Sequence, residues 1–237
     1  MWRNTVHLGD CLEVMKDIPD HSVDMVLCDL PYGTTAPKWD SILPMSTLWD
    51  IYRRVAKKDV MFVFTATQPF TTMLIQSNFK QFRYCWYWFK NQGTNFFHAK
   101  RMPIRKVEEI VVFGGKRYFP QITDGHIPTN SAKGCSNGKA YFGMNKRNYS
   151  GGKTTRYPIN ILEFDCVDNY SRLHSAEKPV ALCEYLIRTY TNEGDLVLDN
   201  CAGSGTTGVA CKNTGRDYIP IEKEPEYYEM ILKRLTN

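Results

Sequence analysis

The sequence predicts an α/β protein: a mainly parallel β-sheet covered by helices on both faces, interrupted once by a loop-rich insertion. Three observations predict it. Short β-like runs alternate with helical ones on either side of the insertion, the pattern of parallel strands joined by crossover helices. The run 60–64 is apolar at every position, as in a strand buried on both faces. The segment 116–172 breaks the alternation with six glycines, three prolines and weak periodicity.

Taken in order, residues 5–8 make a short strand candidate. Positions 11, 14, 15 and 18 are apolar at helical spacing, so 11–18 reads as a helix. Residues 23–28 form the next strand and run into Asp29-Leu30-Pro31-Tyr32-Gly33. Leu48, Ile51, Tyr52 and Val55 mark a helix with Ser46 as its N-cap. The buried strand 60–64 follows, then a helix over 69–77 and strands at 82–89 and 110–113. Beyond the insertion, Pro179 opens a helix as its first residue, with 180, 183, 186, 187 and 190 on one face. Gly194 is placed to end it. A strand at 196–198, a helix at 206–212, a strand at 218–221 and a helix at 226–235 complete the pattern.

Composition narrows the class. The 237 residues, 43% hydrophobic and 23% charged, suit one large domain or a domain with an insertion. The longest apolar run, 84–89, is far too short to span a bilayer, and the N-terminus lacks a signal-peptide stretch. A membrane or secreted protein is therefore not expected. Eight cysteines are scattered with no CxxC pair, so no metal site is expected, and reduced thiols in a cytoplasmic protein are.

Residues 197–208 read as a strand, a tight turn and a helix start. Gly203-Ser204-Gly205-Thr206-Thr207-Gly208 fits G-x-G-x-x-G, and Glu222 follows at the end of the next strand, where an acid accepts from ribose hydroxyls. Asp199 argues against a dinucleotide, because a carboxylate beside the turn repels a pyrophosphate. S-adenosylmethionine has the ribose but no phosphate, and carries a sulfonium and an ammonium that a carboxylate attracts.

Asp29-Leu30-Pro31-Tyr32 lies at the carboxyl end of its strand, where α/β proteins place their sites. It suits methylation of an exocyclic amine. The Asp29 carboxylate and the Leu30 carbonyl can each accept one N–H, which draws the nitrogen towards tetrahedral geometry and aims its lone pair. Tyr32 offers a ring on which a planar base can stack. A strand-end Asp before a Pro turn is also common in proteins without this chemistry.

Together these stretches resemble the amino-type DNA methyltransferases, which modify adenine N6 or cytosine N4. Their catalytic signature is (D/N/S)-P-P-(Y/F) and their cofactor signature is close to D-P-F-x-G-S-G-T-T. The order of catalytic motif, target recognition region and cofactor motif is that of the beta class. Residues 9–13 with 22–24, Lys100-Arg101-Met102-Pro103 and 174–179 resemble further stretches of that class. Leu30, Asn200 and Cys201 depart from the signatures, standing where Pro, Pro and Phe are usual. The resemblance implies a Rossmann-like S-adenosylmethionine-dependent methyltransferase fold with a seven-stranded, mainly parallel sheet, one strand antiparallel. It divides the chain into a catalytic half, 1–115, a target recognition insertion, 116–172, and a cofactor-binding half, 173–237.

The resemblance also assigns residues. Asp29, Leu30, Pro31 and Tyr32 would be catalytic. Asp10, Cys11, Asp29, Lys178, Asp199, Cys201, Ala202, Gly203, Ser204, Gly205, Thr206, Thr207, Glu222 and Lys223 would bind the cofactor, with Asp10 at its adenine, Glu222 at its ribose, and Asp199, Gly203 and Lys178 at its methionine end. Asp10 equally reads as a helix N-cap, and Lys178 as a solvated lysine before a helix. Asp rather than Ser at position 29 resembles the adenine N6 members, with cytosine N4 as the alternative and an RNA or protein amine behind it.

Between residues 116 and 156 eight basic residues face one acid, a local excess of +7 against +5 for the whole chain. Lys116, Arg117, Lys133, Lys139, Lys146, Arg147, Lys153 and Arg156, extended by Lys100, Arg101 and Arg105, would contact phosphates of double-stranded DNA. Trp39 and Asp40 are candidates to line the pocket for a flipped base. A homodimer is left open, as is a restriction partner.

Overall fold

The computed structural model describes residues 2–34, 40–128, 152–168, 170, 172–174 and 176–236. Its contacts divide the chain into two units, Met1–Phe119 with Asn160–Asn237, and Pro120–Ile159. The smaller unit has an antiparallel bridge between Thr123 and Arg156, and the Arg156 guanidinium donates to the carbonyls of Ile127, Lys153 and Thr155.

The larger unit is the α/β fold. Its strands are β1 (His7–Leu8), β2 (Val23–Cys28), β3 (Ala56–Ala66), β4 (Phe82–Thr94), β5 (Arg105–Gly114), β6 (Ile161–Glu163), β7 (Leu196–Asp199) and β8 (Asp217–Glu222). They form one sheet in the order β1-β8-β7-β2-β3-β5-β4-β6. Among the described residues β5 alone runs against the rest. The sheet therefore has eight strands rather than seven, the eighth being the three-residue β6 beside β4.

Helices α1 (Cys11–Val14), α2 (Met45–Val55) and α3 (Phe70–Ser77) cover one face, and α4 (Val180–Tyr190) and α5 (Thr206–Thr214) the other. The sheet residues alternate as a pleat requires. Val26, Cys28, Phe62 and Phe64 face Trp49 and Tyr52 of α2, while Met25, Leu27, Met61 and Val63 join the core of Leu186, Ile187 and Tyr190 of α4. Each fully buried large side chain contributes about 1.5–3 kcal/mol. Helix α6 (Pro225–Thr236) packs Ile231 and Leu235 with Val6 and Ala202. Among the described residues no helix is long and apolar enough to cross a membrane.

Several boundaries differ from the sequence reading. Strands β4 and β5 run well into polar sequence, because they pair with each other past the edge of the core and the apolar pattern does not report that pairing. Helix α2 starts at Met45, so Ser46 lies inside it, and the cap position, Pro44, makes no side-chain bond. Pro179 is the extended residue before α4 rather than its first turn. Helix α4 closes on Thr191, whose hydroxyl bonds the Ile187 carbonyl, and Gly194, at φ +78°, serves the later turn into β7.

The amino-terminal edge of the sheet is held by charge. Asp24, 1% exposed, accepts from Lys57 at 2.7 Å, from the Leu196 N–H at 3.0 Å and from Arg117 at 3.5 Å. Arg117 also pairs with Asp195 at 2.8 Å. Its guanidinium therefore neutralises a buried carboxylate at the start of β2, at the edge opposite the strands' carboxyl ends.

Candidate active site

Strands β2 and β7 are neighbours at the centre of the sheet. The chain leaves β2 towards β3 on one side and β7 towards β8 on the other, so a crevice opens at their carboxyl ends. A cleft of about 390 Å³ lies there. Asp29, Leu30, Pro31 and Tyr32 line it from the end of β2, and Asp199 to Ser204, Thr206 and Thr207 from the end of β7. The two stretches singled out in the sequence thus share one cleft, together with Asp10, Cys11, Asp40, Lys178, Glu222 and Lys223.

Asp29 is the most heavily bonded group on the catalytic side. Its Oδ1 accepts from the hydroxyls of Tyr32, at 2.5 Å, and Thr65. Its Oδ2 accepts from the Lys178 ammonium at 2.5 Å. Tyr32 stacks on Phe70 with ring centroids 5.1 Å apart. Burial first, and the Asp29 charge second, raise its phenol well above the ordinary value, so it stays protonated and donates. Leu30 is buried, which anchors the turn by packing where a proline ring would have stiffened it. Asp40 closes the following loop, accepting from the Gly33 and Thr34 N–H groups at 2.8 and 2.9 Å.

On the other side, the turn after β7 is shaped by two glycines in the left-handed region. Gly203, at φ +53°, lines the cleft beside His174. Gly205, at φ +77°, does not line it. It caps α5, and a Cβ there would come 2.9 Å from Ile231 Cγ2, so packing against α6 by itself requires a glycine here. Glu222 holds the turn from β8: Oε2 accepts from the Gly203 N–H at 2.7 Å, and Oε1 from the Lys223 and Glu224 N–H groups at 2.8 and 2.9 Å. Burial pushes its carboxyl above the usual range, and these three backbone bonds pull the other way.

Asp199 is 5% exposed, and burial pushes its carboxyl up to about 6, opposed by bonds from Thr207 and the Cys201 N–H. Asp10 caps α1 by accepting from the Leu12 N–H at 2.8 Å, and it lines the cleft as well, so both readings of it hold geometrically. The departures Asn200 and Cys201 have partners. Asn200 accepts from the buried Tyr52 hydroxyl at 2.5 Å and donates to Cys11 Sγ at 3.7 Å. The thiols of Cys28 and Cys183 are each pushed up to about 12 by burial, which makes them packing groups rather than nucleophiles.

Three features escaped the sequence reading. Lys178 contacts the Asp29 carboxylate directly. Lys90 and Glu108, from β4 and β5, form an ion pair of 2.7 Å in the cleft wall. Arg234 of α6 pairs with Glu177 at 2.8 Å and donates to the Ser204 carbonyl at 3.0 Å, tying the segment before α4 to the glycine turn. A lysine at position 90 in an aromatic strand and a basic residue on a surface helix carry no local signal for such roles.

The expected DNA contacts are distributed. Lys100 and Arg101 are exposed at the tip between β4 and β5, with Arg105 half-buried at its base. Lys116 is exposed after β5, Arg117 is engaged as described, and Lys153 and Arg156 belong to the smaller unit. Trp39, Lys133, Lys139, Lys146 and Arg147 lie outside the described residues.

A family model described as DNA methylase, for N6 and N4 enzymes, matches residues 23–233. The DNA adenine methyltransferase YhdJ of Escherichia coli (strain K12) is 29% identical over 250 residues, 98% of this chain and 82% of its own. The type II methyltransferase M.HinfI of Haemophilus influenzae is 24% identical over 98% of this chain and 68% of its own. The solved complex of M1.HpyAVI with SAM has a TM-score of 0.67 at 23% identity, covering 98% of this chain and 99% of that one. The cytosine-N4-specific PvuII DNA methyltransferase has a TM-score of 0.68 at 19% identity, covering 98% and 86%. These likenesses in shape show a shared fold.

Proposed function

The chain belongs to the N6/N4 DNA methylase family, and from that premise we propose that it transfers a methyl group from S-adenosylmethionine to adenine N6 in a specific duplex sequence. The observation that carries the reading is the shared cleft: Asp29 at the end of β2 and the Asp199–Gly203 turn at the end of β7 line the same walls. Adenine is favoured over cytosine by Asp at position 29 and by the adenine activity in the name of the 29% identical relative.

The donor set suits the cofactor. Two buried carboxylates, Asp199 and Glu222, line the cleft, and they would repel a diphosphate but attract a sulfonium, an ammonium and ribose hydroxyls. Asp10, Asp199, Glu222 and the backbone of the 199–207 turn would hold it. When bound, S-adenosylmethionine supplies a methyl group made electrophilic by its sulfonium. The chain's own residues do the rest. The target amine is inaccessible inside a duplex, so the base must be flipped, at a cost of a few kcal/mol. Asp29 Oδ2 and the Leu30 carbonyl accept the amine's N–H groups and localise its lone pair. Tyr32, braced by Phe70, provides the stacking face. No strong base is needed, because the nitrogen becomes acidic once alkylated and Asp29 stands beside it to accept the proton. The basic segment 116–156 and the tip carrying Lys100 and Arg101 supply phosphate contacts. A DNA substrate and seven free thiols among the described cysteines favour a cytoplasmic location.

The direct test incubates the protein with methyl-labelled cofactor and duplex DNA and digests the product to nucleosides. N6-methyladenine is expected. Label found only as N4-methylcytosine would overturn the base assignment, and label found only on RNA or protein would overturn the substrate class.

Asp199 makes cofactor affinity pH-dependent. Its carboxyl is raised to about 6 in the folded protein, so the stability gained from keeping it protonated is present below the ordinary carboxylate value and lost as pH rises through about 6. A cation bound beside it favours the charged form. Affinity is therefore expected to weaken as pH falls below about 6 and to level off above it. Calorimetric titration across this range should show the change in wild type and a weaker, pH-flat affinity in Asp199→Asn. A pH-independent wild type would sink this role for Asp199.

A further inference from the structure

The cleft holds a row of alternating charges that the reaction described above leaves partly unused. Asp29 Oδ2 lies 2.5 Å from Lys178 Nζ, Lys178 Nζ lies 3.8 Å from Glu108 Oε2, and Glu108 Oε1 lies 2.7 Å from Lys90 Nζ. Lys90 is 2% exposed, stands over the Trp88 ring and also donates to Thr94 at 3.4 Å, so it is a fixed anchor for Glu108. Glu108 Oε2 is buried and has no hydrogen-bond partner. A buried carboxylate oxygen left without a donor is destabilising unless something fills it at another stage.

Asp29 has the complementary problem. Tyr32 and Thr65 occupy Oδ1 and Lys178 occupies Oδ2, yet the substrate amine needs an acceptor there. We propose that Glu108 is a positioning residue that receives Lys178 from Asp29: when the amine takes Asp29 Oδ2, the ammonium moves to Glu108 Oε2. The move is small. A charge-assisted N–H···O bond spans about 2.8 Å, so the present 3.8 Å separation must shorten by about 1 Å. Lys178 keeps its charge at either end. Burial depresses its basicity, but the charges of Asp29 and Glu108 outweigh burial and raise it overall. Lys90 stops the Glu108 carboxylate from turning away, which explains why a lysine is buried in this wall. The inference rests on the amine-methylation reading of the same cleft.

The test is a double-mutant cycle on single-turnover methyl transfer to duplex DNA at saturating cofactor. A misplacement of about 1 Å costs on the order of 100-fold in rate, so Glu108→Gln is expected to lower kcat by about that factor, with the DNA KM and cofactor affinity changed little. In a Lys178→Gln background the same change should cost no more than about twofold, because the group that Glu108 receives is gone. Glu108→Asp, which keeps the charge, should recover part of the rate. Full activity of Glu108→Gln, an equal loss in both lysine backgrounds, or a loss confined to cofactor binding or melting temperature would overturn the inference. A wild type that methylates no DNA would instead remove the parent reading.

Discussion

Asp29→Ala is expected to abolish methyl transfer, lowering kcat by about 1000-fold or more, while S-adenosylmethionine still binds. The carboxylate accepts the amine where charge develops, and removal of one such preorganised group costs about 100- to 1000-fold in comparable sites. Here the loss should be at the upper end, because the same change leaves the Tyr32 and Thr65 hydroxyls and the Lys178 ammonium without their shared acceptor. Cofactor affinity should survive, since the turn after β7 is held by Glu222 and Arg234 and not by Asp29. Single-turnover transfer of labelled methyl, paired with calorimetry, separates the two. A fully active variant would remove the catalytic assignment.

Glu222→Ala is expected to have the next largest effect, on the cofactor. This carboxylate accepts from three backbone N–H groups, of Gly203, Lys223 and Glu224, at 2.7 to 2.9 Å. Removing it leaves those donors unpaired and takes away the acceptor for ribose hydroxyls. A hydrogen bond to a charged group contributes about 1.5–3 kcal/mol, so losing the ribose contact should lower affinity by about 100-fold, and losing the three backbone bonds should lower folding stability by roughly 4 kcal/mol or more. Glu222→Gln, which keeps one carbonyl oxygen, should fall between wild type and Ala. The measurements are calorimetric titration and thermal melting; unchanged affinity in the Ala variant would show that the ribose lies elsewhere.

The parts of this site that are legible in the sequence are those written in contiguous residues. Asp29-Leu30-Pro31-Tyr32 at a strand end, the glycines after Asp199, and an acid closing the following strand each state their backbone conformation locally. The alternation of strand and helix then places all three at one sheet edge, because parallel strands joined by crossovers end on the same side. The insertion was legible as a break in pattern, although the contact boundary, Pro120–Ile159, is narrower than 116–172, and residues from 160 onward return to the main sheet as β6.

What stayed hidden are the pairings between distant residues. Lys178 and Asp29 are 149 positions apart, and Tyr52 and Asn200 are 148 apart. The pairing of Arg117 with Asp24 and Asp195 is not written in its basic run, nor is the closeness of Ile231 to Gly205 written in the glycine turn. The sequence by itself determined the strand-helix alternation, the two motifs, their order and the sign of the local charge. Only the tertiary structure decided which charge meets which. Backbone preference and apolar period act over a few neighbouring residues, whereas an ion pair forms only where register and chain topology bring two side chains within about 3 Å.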